Sequence, residues 1–119
     1  VSRSERARLA PIILDLASAG DAVSIAIVAE GVDALSSCVL STSRQLDIKA
    51  PSVLLVGGLL QHTYFSNSLK ATLNTRIPSA IITHPILSPT AGAVLMALKA
   101  TSCEISDAAI DKLKEASYS

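Results

Sequence analysis

The sequence predicts a helix-rich α/β fold, with two short parallel strands set among about five helices. Three observations predict it. Two short apolar runs, Val53-Leu-Leu-Val56 and Ala80-Ile-Ile-Thr83, have the length and β-branched content of strands. A helical pattern lies between them, and strand, helix and strand within about 30 residues make a βαβ unit with a right-handed crossover. Elsewhere, apolar residues recur every three or four positions, the period of helices packed on one side.

The first helix is predicted over 3–19. Leu9, Ile12, Ile13 and Leu16 form one apolar stripe, and Arg3, Arg6 and Arg8 fall outside it. Pro11 is awkward in a helix interior: either the helix begins near Ala10, or it kinks at Pro11. Gly20 suits the left-handed position after the helix, and Asp21 suits the next N-cap. The second helix, 22–46, carries Ile25, Val28, Val32, Leu35, Val39 and Leu46 as its buried stripe. Gly31 in mid-pattern, with Ala26, Ala29 and Ala34, points to close approach of another backbone. Pro51 stops the segment.

The uninterrupted run 53–56 reads as a strand buried on both faces, the parallel-sheet case. It runs straight into Gly57-Gly58. Paired glycines at the carboxyl end of a strand admit a close approach that a Cβ would block, and open α/β sheets bind ligands at that end. Phe65, Leu69 and Leu73 then mark a helix over 64–74, and 80–83 is the second strand. His84-Pro85 opens an extended loop. Thr90 or Ser88 caps a fourth helix, 91–100, whose small and apolar residues predict burial. The last helix, about 107–116, has Ser106 as N-cap, with Ile105 and Ile110 placed as a hydrophobic staple.

The 119 residues suffice for one domain. Half are hydrophobic but only 3% are aromatic, so the core is built from Leu, Ile, Val and Ala. Ten basic and ten acidic residues balance to zero, which argues against the concentrated basic face of a nucleic-acid binder. The longest uninterrupted apolar run is too short to cross a bilayer, and no signal peptide is visible. Cys38 and Cys103 read as reduced intracellular thiols, Cys38 as a small core residue of the second helix, and the chain as cytoplasmic. The start at Val rather than Met fits a piece of a longer protein. Neither phosphate-loop nor dinucleotide glycine signatures occur, nor metal-spaced Cys/His clusters. His62 reads as a surface-loop residue and His84 as a satisfied structural one.

Residues 53–100 carry a resemblance. VLLVGGLLQHTYFSNSLKATL, followed by RIPSAIITHPILSPTAGAVLMAL, resembles the carboxyl-terminal end of the sugar-kinase/actin/heat-shock ATPase superfold. It looks most like N-acetylglucosamine kinases and the related BadF/BadG/BcrA/BcrD-type activator ATPases. ARLAPIILDLASAGDAVSIAIVAEGVDALSSCV resembles the helical pair with a Gly-Asp joint that precedes the strand. The ordered set Gly20-Asp21, Val53–Gly58, Pro85, Pro89 and Ala91-Gly92-Ala93 carries the likeness, over about residues 5–100.

The resemblance implies a partial actin-like (RNase H-like) ATPase domain. It implies ATP with Mg²⁺ in the full-length protein, and an amino sugar as phosphoryl acceptor, held through an amino-terminal domain. Gly57 and Gly58 would lie against adenosine, and Leu59, Leu60 and Gln61 would wall the adenine. The helix after the glycines would favour a phosphate. Gly92 would let the fourth helix pack closely on the glycine loop. The hairpin that holds phosphates and the Asp that accepts the sugar proton have no match here, so the chain alone is expected to be inactive. Two strands with open edges predict self-association into a homo-oligomer. The last helix lies beyond the family's usual end. An activator ATPase, whose family carries interface cysteines for an iron–sulfur cluster, stays open, although neither Cys38 nor Cys103 has such a setting. A helical interaction module without nucleotide chemistry stays open too.

Overall fold

A computed structural model describes residues 2–118. The chain divides into two compact units, one through Thr83 and one from His84. The first holds α1 (Arg3–Ser18), α2 (Ala22–Gln45), β1 (Ser52–Leu54), α3 (Gly58–Gln61), α4 (Thr63–Arg76) and β2 (Ile81–Thr83). The second holds α5 (Pro89–Ala100) and α6 (Asp107–Tyr118).

Local chemistry sets the helix ends. Ser2 and Glu5 form a capping box at α1: the Glu5 amide donates to the Ser2 hydroxyl at 3.2 Å, and the Ser2 amide to the Glu5 carboxylate at 2.6 Å. Gly20 leaves α1 with φ +97°, a conformation that disfavours a Cβ. Asp21 then caps α2, accepting the Ser24 amide at 2.8 Å. Hydrogen bonding holds both carboxyls below their ordinary values: Glu5 chiefly through the Ser2 amide, and Asp21 through the Ser24 side chain first and its amide second. Pro11 lies inside α1, whose helix runs through it from Arg3.

The core gathers Leu14 and Ala17 of α1, Val28 and Val32 of α2, Phe65, Leu69 and Leu73 of α4, with Leu55 and Ile77. The predicted stripe of α4 is therefore the buried one. That of α1 is buried only in part: Ile13 packs against the core, while Leu9, Ile12 and Leu16 are exposed. The second half of the helix carries apolar residues on more than one side, and Leu14 and Ala17 are the ones buried. On α2 the buried line runs Ser24, Val28, Val32, Ser36 and Ser43, while Ile25, Leu35 and Leu46 are exposed. Ser36 and Ser43 fit that face because their hydroxyls donate to the carbonyls of Asp33 and Val39, at 3.0 and 2.8 Å. Cys38 lies off this line and is exposed, contrary to the core role expected of it. At Gly31 the close neighbour is the Phe65 ring rather than backbone.

By length and composition α2 is long and apolar enough to cross a membrane, with mean hydropathy 1.8 over 18 residues. At 1.5 Å per residue its 24 residues reach about 36 Å. Counting only uninterrupted apolar residues missed this, because isolated serines and acids break the run without making the helix polar. Val28 and Val32 pack it into the core of its unit.

β1 and β2 pair in parallel, Ser52 opposite Ile81 and Leu54 opposite Thr83, as the βαβ reading requires. The first strand is shorter than expected, and its sheet is covered on one face. Val53 and Ile82 pack toward the core, whereas Leu54 and Ile81 are 53% and 60% exposed. Among the described residues the sheet has two strands, with no third neighbour to extend the ladder.

In the second unit Ser88 caps α5, accepting the Ala91 amide at 3.2 Å. The Ser117 hydroxyl of α6 bonds the Ser88 amide at 3.0 Å. Ser106 accepts the Ala109 amide at 3.3 Å, as its cap position predicts. α5 is not the buried helix expected, since Ala91 is its one buried residue and Val94 and Met96 are exposed. A Cβ on Gly92 would meet nothing within 4 Å, so no tight packing calls for a glycine there. His84 is exposed rather than the satisfied structural residue expected.

Candidate functional site

The site begins where β1 stops. The Leu55 amide donates to Thr83 O at 3.0 Å, one bond past the strand, and buries the Leu55 side chain. The chain then turns at Gly57, with φ +115° and ψ 157°. That region is open to glycine almost alone, so Gly57 fixes the bend. Gly58 opens the single turn α3, closed by the Leu60 amide on Gly57 O at 3.1 Å. Both glycines are exposed, and a Cβ on either would meet nothing within 4 Å. The backbone there lies open.

Beside it is a cleft of about 630 Å³, within the size range of small-ligand sites. One wall is Gly58, Leu59, Gln61 and His62; the other is Ala7, Ala10, Pro11 and Leu14 of α1. Three predicted site residues, Gly58, Leu59 and Gln61, therefore line it. Gly57 shapes the turn, while Leu60 packs against the core instead. The helix expected directly after the glycines is split: α3 has four residues, and the longer α4 starts at Thr63. No extended helix dipole points at the glycine pair.

Sequence reasoning missed the α1 wall. Its one signal was Pro11, conspicuous inside a helix. It also missed the role of His62, which is half-buried rather than a free loop residue. Its Nε2 meets the Asp15 carboxylate at 3.1 Å, tying the start of α4 to α1. The carboxylate accepts, so Nε2 carries the proton, and Nδ1 is buried without a partner among the described residues. The cleft is thus mostly apolar, with Gln61 and His62 as its polar side chains. That suits a flat, largely apolar ring with a few polar edges. No group of three His, Cys, Asp or Glu side chains placed to hold a metal occurs among the described residues.

The model of the BadF/BadG/BcrA/BcrD ATPase family matches residues 2–97. The chain belongs to this family. No curated protein and no solved structure matches it. The match takes in α1 to most of α5, hence the whole cleft, and leaves α6 outside. The helix-rich architecture with one parallel strand pair is that of a partial α/β ATPase-like domain. ATP is the nucleotide that membership in this family brings.

Proposed function

We propose that this chain is the adenosine-binding, carboxyl-terminal part of an ATP-dependent sugar kinase that phosphorylates N-acetylglucosamine or a similar amino sugar in the cytoplasm. The observation that carries the reading is the open Gly57-Gly58 backbone at the rim of an apolar cleft. Main chain without a Cβ lets a nucleoside lie flush against the peptide. Leu59, Ala10, Pro11 and Leu14 offer the purine apolar faces, and Gln61 offers it a polar edge.

Bound ATP supplies the transferable phosphoryl group, with Mg²⁺ neutralising its charge. The residues of this chain bind and orient the nucleoside end and exclude water from the base. The phosphate hairpin, the Mg²⁺ ligands and the Asp that accepts the sugar proton belong, in this reading, to an amino-terminal domain. The chain alone therefore binds ATP without turning over sugar, and it self-associates through its open strand edges.

Calorimetric titration with ATP tests the reading, with Gly58→Arg as control. A Cβ at Gly58 meets nothing within 4 Å, and Gly58 lines the cleft, so the arginine is introduced at the cleft wall. Binding by the parent and loss in the variant support the proposal; equal heats in both, or none in the parent, reject it. Sugar-dependent turnover by the isolated chain rejects the division of labour, and a monomer by light scattering rejects self-association.

A second reading within the family is an activator ATPase of the acyl-CoA reductase type. The exposure of both Cys38 and Cys103 favours it, since an interface cluster needs accessible thiolates. Iron–sulfur absorbance in protein purified anaerobically decides for it.

A further inference from the structure

Pro11 lies in the interior of α1, a position from which helices exclude proline. It also lines the cleft, together with Ala7. The two facts are connected. In an α-helix the amide of residue i donates to the carbonyl of residue i−4. Proline has no amide hydrogen to give that carbonyl, and its ring crowds it. The carbonyl concerned is that of Ala7. Residues four apart share one helix face, and this face is the cleft wall. Ala7 is exposed, and its methyl group is too small to screen the backbone behind it.

We propose that Pro11 makes the cleft selective for a base bearing an exocyclic amine, by leaving the Ala7 carbonyl open as a hydrogen-bond acceptor. The inference rests on the nucleotide reading above and adds to it the determinant of base choice. Adenine presents an amino group at its six-position, a donor that this carbonyl accepts. Hypoxanthine and guanine present a keto oxygen there. Two acceptors then face each other, and neither is satisfied.

Restoring the missing amide tests this. Pro11→Ala supplies the hydrogen that occupies the Ala7 carbonyl, and it favours the helix, so the variant folds. Binding of ATP and of inosine triphosphate is measured by calorimetry on both proteins, and both are melted. The parent is expected to prefer ATP over inosine triphosphate about three- to tenfold, the worth of one partly exposed hydrogen bond. The variant is expected to melt higher and to lose that preference. Stability and selectivity thus move in opposite directions, which a merely structural proline does not produce. A variant that melts higher and keeps the preference overturns the proposal, as does a parent that binds both nucleotides equally. A parent that binds neither overturns the nucleotide reading itself.

Discussion

Gly31 of α2 faces the ring of Phe65 on α4: a Cβ at Gly31 would stand 3.5 Å from Cε2 and 3.9 Å from Cζ. These are ordinary contact distances, so the site has room for a methyl group. Glycine in a helix interior costs about 1 kcal/mol relative to alanine. Gly31→Ala is expected to stabilise the protein by about 0.5–1 kcal/mol in urea denaturation. Gly31→Leu must displace the ring and is expected to destabilise by about 1–3 kcal/mol.

Leu73 is fully buried, at 0% exposure, under α2 and beside Leu69. Leu73→Ala removes that packing and leaves a cavity, at an expected cost of about 2–5 kcal/mol. Met96→Ala, on the exposed side of α5, is expected to change stability by less than about 0.5 kcal/mol. Chemical denaturation of the pair checks whether the core lies where α4 places it.

The two site glycines are expected to respond oppositely to alanine. Gly57 holds φ +115°, so Gly57→Ala imposes about 1–3 kcal/mol of backbone strain. Gly58 begins a helical turn and has no positive φ, so Gly58→Ala is expected to be neutral or stabilising by up to about 1 kcal/mol. Thermal melts of the two variants distinguish a shaped bend from a merely permissive one.

Asp21 gives a pH signature. Its hydrogen bond from Ser24 lowers the carboxyl below the ordinary 3.8 in the folded chain. A group depressed on folding contributes stability that is present above the unfolded value and is lost as pH falls through the folded one. The melting temperature is thus expected to drop below about pH 3.8. Asp21→Asn keeps a capping acceptor without a titrating group, so the difference between parent and variant is expected to vanish at low pH. Glu5 is depressed in the same direction through Ser2 and contributes to the same limb.

Much of this fold is written in short-range chemistry. The Gly20-Asp21 joint, the Ser88 and Ser106 caps and the Phe65, Leu69, Leu73 line depend on neighbours within a turn or two, and each stands where the sequence put it. What was illegible depended on partners. Leu9, Ile12 and Leu16 make a good stripe, yet an equally apolar side carrying Leu14 and Ala17 fits α2 and α4 better. Periodicity cannot rank two apolar faces of one helix. Likewise 53–56 reads as a strand buried on both sides only if a layer lies on each side. The glycine loop was readable as a local anomaly, whereas its opposite wall on α1 is about fifty residues away and could be found only from the packing of the helices.

The parallel pairing of β1 with β2 has a consequence for the order of assembly. The hairpin of α1 and α2 closes over a three-residue turn and can zip up early, since near neighbours meet at little entropic cost. Residues 52–54 must wait for 81–83, and α4 has to swing across before they meet. The bend at Gly57 is therefore expected to be among the last features to set. Pulsed hydrogen exchange during refolding is expected to protect α2 amides before that of Leu55, whose acceptor is Thr83. A mouth finished last is also the first to loosen when the molecule breathes, so access to the cleft and the onset of unfolding would share one hinge.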